Sequence, residues 1–150
     1  MPREFHQGCL SLRYPDNWSM EREEADNGWT LSLFSPRPAT AFLTLTLDTD
    51  FPEADQMADT VLEAMRAEYP QLEADESTEQ VASQWSVGHD ITFISLDLTS
   101  TCWTRSFDTP DGTVLLMCQS ADVDMPQQEP ILRAISASLH IDERQDSTSD

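Results

Sequence analysis

Val114-Leu115-Leu116-Met117-Cys118 carries an apolar side chain at every position. A strand with one buried face alternates apolar and polar residues, because successive side chains point to opposite sides. A run without that alternation predicts a strand covered on both faces, and so a sheet with layers packed on either side. Working back, Thr109-Pro110-Asp111-Gly112 supplies a hairpin turn and Cys102 to Phe107 the preceding strand. One register across that turn sets Cys102 opposite Cys118 on the same face of the sheet. Working forward, Ile131, Leu132, Ile135 and Leu139 form a helical stripe that predicts a covering helix over 127–138, with Pro126 or Pro130 in its first turn.

The other cover lies earlier in the chain. Met57, Ala58, Val61, Leu62 and Met65 recur at helical spacing, and Asp55, Asp59, Glu63 and Arg66 hold the opposite face. This predicts a helix over 54–68, closed by Tyr69-Pro70. Before it, residues 3–48 read as strands: Leu10, Leu12 and Tyr14 alternate with Ser11 and Arg13, as do Trp29, Leu31 and Leu33 with Thr30 and Ser32, and Leu43, Leu45 and Leu47 with Thr44 and Thr46. After it, strands are expected over 79–87 and 91–98, the second with Ile94, Leu96 and Leu98 on one face. Strands, a helix, more strands and a terminal helix define an α+β domain over 1–141, an antiparallel sheet with helices on its faces. Residues 142–150 read as a polar, acidic, disordered tail.

The composition excludes several functions. Of 150 residues, 28 are Asp or Glu and 8 are Arg, with no Lys, for a formal charge of −20. Such a field repels a phosphate backbone, so no nucleic-acid partner is expected. No apolar run nears the ~20 residues of a membrane span, so no membrane insertion is expected. The amino terminus, Met1-Pro2-Arg3-Glu4-Phe5-His6-Gln7, lacks the basic and apolar segments of a secretory signal, and read from Met1 the chain is expected to be cytoplasmic. Cys9, Cys102 and Cys118 are an odd number without a CxxC spacing, and are expected to be reduced, packed thiols.

Three stretches resemble the PsbP-like fold superfamily, which includes the extrinsic PsbP of photosystem II, a yeast Ran-nucleotide-release factor and bacterial effector chaperones. Leu12-Arg13-Tyr14-Pro15-Asp16-Asn17-Trp18 is similar to its early strand and Tyr-Pro-x-x-Trp turn. Arg105 through Gln119, turning at Asp111-Gly112, is similar to its central hairpin, and Ile131 to Ile141 to its closing helix and Ser-Leu-x-Ile ending. The resemblance spans most of 5–141 and implies an α/β/α sandwich with a non-enzymatic, protein-binding accessory or adaptor role. The chain lacks the basic docking surface and the targeting segment of the photosynthetic members, so no photosystem role is expected.

Catalytic motifs are not found: no G-x-S-x-G, no H-E-x-x-H, no Walker loop and no G-x-G-x-x-G. An enzyme would have to use a Cys–His pair assembled in space, such as His89 with Cys102 or Cys118, or a carboxylate site. Asp48-Thr49-Asp50 and Asp122-Val123-Asp124 each precede a helix, where capping and the helix dipole suit acids. A calcium loop starting at Asp48 fails, because Pro52 and Glu53 stand where a ligand and Gly are needed. No cofactor or metal is therefore expected. The expected contact residues are Asp48, Asp50 and Glu53, facing a protein partner with a basic surface, and Trp18, expected to be partly exposed beside its turn. The alternative is a chaperone that holds apolar helices of an export client in a groove.

Overall fold

The computed structural model describes residues 1–142. Their strands are β1 (Arg3–Gln7), β2 (Leu10–Tyr14), β3 (Ser19–Ala25), β4 (Gly28–Phe34), β5 (Phe42–Asp48), β6 (Glu73–Val81), β7 (Gln84–Ser95), β8 (Leu98–Thr109), β9 (Gly112–Ala121) and β10 (His140–Ile141). The helices are α1 (Ala54–Glu68) and α2 (Met125–Ala137). Seven strands form one antiparallel sheet in the order β3-β4-β5-β9-β8-β7-β6, and β1-β2-β10 form a second, smaller one. No helix among the described residues is long and apolar enough to cross a membrane.

The doubly apolar run lies in β9, in the middle of the large sheet, and both of its faces are covered. Leu116 and Cys118 join Leu31, Leu45, Trp103 and Phe107 in a core closed by Leu132 and Ile135 of α2 and by Leu10 and Leu12 of the small sheet. Met117 points the other way, to Ile91, Phe93 and Cys102 beneath Leu62 and Met65 of α1. The architecture is α+β, with α1 on one face of the sheet and α2 plus the small sheet on the other. α2 begins two residues earlier than its periodicity predicts, with Pro126 in the first turn and Pro130 inside the helix. After α2, His140 and Ile141 pair with Ser11 and Leu10, so the Ser-Leu-x-Ile ending ties the terminal helix to the small sheet.

Between 72 and 98 the strands differ from those that the periodicity predicts. The strand expected over 79–87 is instead two strands, β6 and β7, which meet at Ala82 and Ser83 with φ of 53° and 67°. Neither residue advertises a left-handed turn as Gly or Asn would. A second such turn, Leu96-Asp97 with φ of 52° and 63°, ends β7 at Ser95. It breaks the expected 91–98 strand: Ile91 and Phe93 face the core, while Ile94, Leu96 and Leu98 are exposed. Periodicity cannot see a turn built from residues that favour other conformations.

The hairpin at 110–111 sets the thiols apart. Thr109 pairs with Gly112, so Cys102 pairs with Gln119 and Cys118 with Trp103. The register that would set the two cysteines opposite each other lies one residue away, and one residue reverses the face. Cys102 therefore packs toward α1 and Cys118 toward α2, where its Sγ lies 3.7 Å from the Ser136 hydroxyl. Burial pushes both thiols up to about 12 from an ordinary 9.0. In the folded protein neither thiol is expected to react with iodoacetamide at about pH 8, whereas both label fully in urea, as read by mass spectrometry. Both pKa values are higher in the folded state, so their stabilising contribution is whole below about 9 and declines as pH rises toward about 12.

Both edges of the large sheet are acidic. β3 carries Glu21, Glu23 and Glu24 and is exposed at every residue; β6 carries Glu73, Asp75, Glu76 and Glu79. Charged edge strands resist pairing with another chain, which accounts for part of the acidic excess without any ligand. Of the expected tail, residues 143–150 lie outside the described residues, but Asp142 donates its backbone N–H to Cys9 O at 2.7 Å.

Candidate functional site

At the end of β5 the chain turns toward α1 through 49–53. The Asp48 carboxylate accepts from the Asp50 N–H at 2.9 Å and from Asn27 Nδ2 at 3.3 Å, and Thr49 N–H donates to Asn27 O at 2.8 Å. The Thr113 hydroxyl donates to Pro52 O at 2.5 Å, which holds the loop against β9. Asp50 and Glu53 are left exposed, and Phe51 between them is 56% exposed with φ 55°. A non-glycine residue in the left-handed region is strained, and an exposed benzyl ring recovers nothing by burial.

Three of the four expected contact residues therefore share one loop, with Phe51 added by the structure. Trp18 does not join them: it is buried in the main core, where it packs the turn after β2 onto the sheet. Trp85 is the exposed tryptophan, because it opens β7 beyond the reach of either covering layer. The acids also do not cap as expected. Glu53 holds the N-cap position of α1 without a side-chain cap bond. Asp122 accepts from the Thr101 hydroxyl at 2.6 Å, and Asp124 accepts from Thr40 N–H and hydroxyl at 3.1 and 3.0 Å. These two carboxylates tie β8 and the 35–41 loop to the start of α2.

Sequence reasoning missed a buried arginine. Arg105, 3% exposed on β8, donates Nε to Glu79 at 2.5 Å, Nη2 to Asp90 at 2.8 Å, and Nη1 to the carbonyls of Thr104 and His89 at 2.8 and 3.4 Å. On α2, Arg133 lies 4.2 Å over the Trp103 ring, donates Nε to Glu129 at 3.4 Å and stands 3.9 Å from Glu79. A cavity of about 570 Å³ opens between β6, β8 and the end of α2, lined by Glu79, Trp103, Arg105 and Arg133 among others. The two guanidiniums there are met by three carboxylates, those of Glu79, Asp90 and Glu129, so neither cation is left free and the network carries one negative charge in excess. Its only sequence signal was an Arg between Trp103 and Phe107 at buried strand positions.

His89 and Cys102 lie on the α1 side of the sheet, paired with Thr104 and Ile91 respectively, while Cys118 is on the other side. A thiol pushed toward 12 is the opposite of the lowered pKa that an attacking thiolate needs. His89 is buried with Nε2 3.6 Å from Asp59 and Nδ1 without a hydrogen bond. Among the described residues no group of three or more His, Cys, Asp or Glu side chains is placed to hold a metal ion.

No family model matches the chain, and no curated protein matches it. Solved structures do. The chain has a PsbP-like fold: it is similar to cyanobacterial PsbP of Synechocystis over 93% of its length and 92% of that chain, with TM-score 0.62 and 10% identity. A Pseudomonas aeruginosa protein of unknown function is similar over 91% of this chain and 94% of that one, at TM-score 0.55 and 16% identity. A Bacteroides thetaiotaomicron structure reaches TM-score 0.64 at 11% identity, and this chain spans 49% of its length.

Proposed function

We propose that the chain is a non-enzymatic accessory protein that binds a protein partner presenting Arg and Lys, through the loop of Asp48, Asp50, Phe51 and Glu53. The observation that carries this reading is Phe51, an exposed aromatic ring held in a strained conformation between Asp50 and Glu53. An aromatic anchor within a polar rim is a common form of interface hot spot. The PsbP-like fold supports an accessory role by analogy of fold alone. The reading places the protein in the cytoplasm, where thiols such as Cys102 and Cys118, held on opposite faces of the sheet, persist unpaired.

Co-purification from the native host supplies the partner, and association kinetics with that purified partner test the loop. The Asp48→Asn, Asp50→Asn, Glu53→Gln variant should associate more slowly than the native protein and lose most of its salt dependence, because rim charges act on encounter. Phe51→Ser should instead speed dissociation, by about tenfold. Unchanged rates in both variants would place the contact elsewhere.

A further inference from the structure

The end of α1 away from the acidic loop lies beside an exposed apolar hairpin tip. α1 begins beside Glu53 and runs about 22 Å to Glu68, where the chain meets the β7–β8 hairpin. At the tip of that hairpin Ile94 is 68% exposed, Leu96 93% and Leu98 49%. Ser95 pairs with Leu98 and Ile94 with Thr99, so Ile94 and Leu98 stand on opposite faces with Leu96 at the turn between them. The tip therefore presents an exposed aliphatic side chain on each face and at the turn. Beside it, a cavity of about 590 Å³ is lined by Tyr69, Pro70, Leu72, Phe93 and Ile94. The Tyr69 and Phe93 rings within it lie 4.5 Å apart.

The pairing of β7 with β8 requires a turn here but not an apolar one. Leu96 and Asp97 occupy a left-handed two-residue turn that Asn-Gly would form at lower cost, and three aliphatic side chains are left in water. The charges around them narrow what covers them. Glu68 and Glu73 line the cavity and Asp97 completes the turn. A second copy would set these carboxylates, and two charges of −20, against each other. A cytoplasmic membrane surface is itself anionic and attracts basic segments, of which this lysine-free chain offers none here.

We propose that the β7–β8 tip and the adjoining cavity form a second docking surface, whose occupant is a cationic amphipathic helix of a partner protein. Its apolar stripe packs on Ile94, Leu96 and the Tyr69–Phe93 cavity, and its flanking Lys or Arg meet Glu68, Glu73 and Asp97. The surface is separate from the Asp48–Glu53 loop, so either can fail without the other.

The probe is a labelled synthetic helix with Leu at i, i+3, i+4 and i+7 and Lys elsewhere, titrated into the full chain and read by anisotropy. The comparison variant, Ile94→Thr, Leu96→Asn, Leu98→Thr, keeps every charge and uses residues suited to strands and turns; Leu96→Asn alone is the milder second variant. The triple variant is expected to bind the Leu/Lys helix at least about tenfold more weakly, and Leu96→Asn to fall between it and the native protein. The Asp48→Asn, Asp50→Asn, Glu53→Gln variant should retain native affinity for this probe. Equal binding by the tip variants would overturn the proposal. So would equal binding of a Leu/Glu helix, binding of phosphatidylcholine–phosphatidylserine vesicles that the tip variants abolish, or tip-dependent self-association in sedimentation.

Discussion

Gly88→Ala should cost about 4 kcal/mol or more, a large share of the roughly 5–15 kcal/mol that holds a domain folded. A Cβ at this position would lie 1.7 Å from the Thr104 carbonyl oxygen and 2.5 Å from its carbon. Those are backbone atoms in the ladder between β7 and β8, so neither side can yield without breaking pairing in the middle of two twelve-residue strands. Gly88 also pairs with Arg105, so the same displacement would disturb the guanidinium and its carboxylates. Urea denaturation followed by tryptophan fluorescence measures the loss. A variant within about 1 kcal/mol of the native protein would mean that the close approach is not needed.

The second large effect is expected at Arg105. Arg105→Met should destabilise by about 3 kcal/mol, because it leaves the Thr104 carbonyl and the facing carboxylates without their donor. Glu79 and Asp90 are each roughly half exposed and recover part of their hydration, which holds the loss to the lower end for a broken buried pair. Arg105→Lys should lose nearly as much, since one ammonium cannot reach four acceptors spread around a planar fork. Removing the stranded charges as well, with Glu79→Gln and Asp90→Asn, should restore most of the stability. Chemical denaturation of the three variants checks the order; full stability in Arg105→Met would show that solvent had already satisfied the network.

What could be read from the sequence was whatever repeats regularly. Leu31, Leu33, Leu43, Leu45 and Leu47 announced their strands and faces by alternation, and Met57 to Met65 announced α1 by helical spacing. The apolar run at 114–118 announced two covering layers before either was located. The turns at Ala82-Ser83 and Leu96-Asp97 were hidden, because their left-handed backbone is imposed by strand pairing rather than by residue preference. β3 was hidden as a separate strand, since an edge exposed at all seven residues has no buried face to leave a pattern. The acidic loop was legible as Asp48, Asp50 and Glu53, but Phe51 was not, because exposure is settled by what fails to cover a residue. The Arg105 network joins residues from 79 to 133, and no window of sequence contains it.

The two-residue turn at Pro110-Asp111 does more than reverse the chain. With a register one residue away, Cys102 and Cys118 would stand directly opposite, at about the 5.5 Å Cα separation that a disulfide spans. The turn as built puts the thickness of a sheet between them. Resistance to oxidants is thus a property of loop length, written eight residues from one sulfur and seven from the other. It cannot drift independently of the fold, because any change that brought the sulfurs together would also turn Leu116 away from the main core. On the bench, the folded protein should keep for days in air without a reducing agent, and should require one only when unfolded.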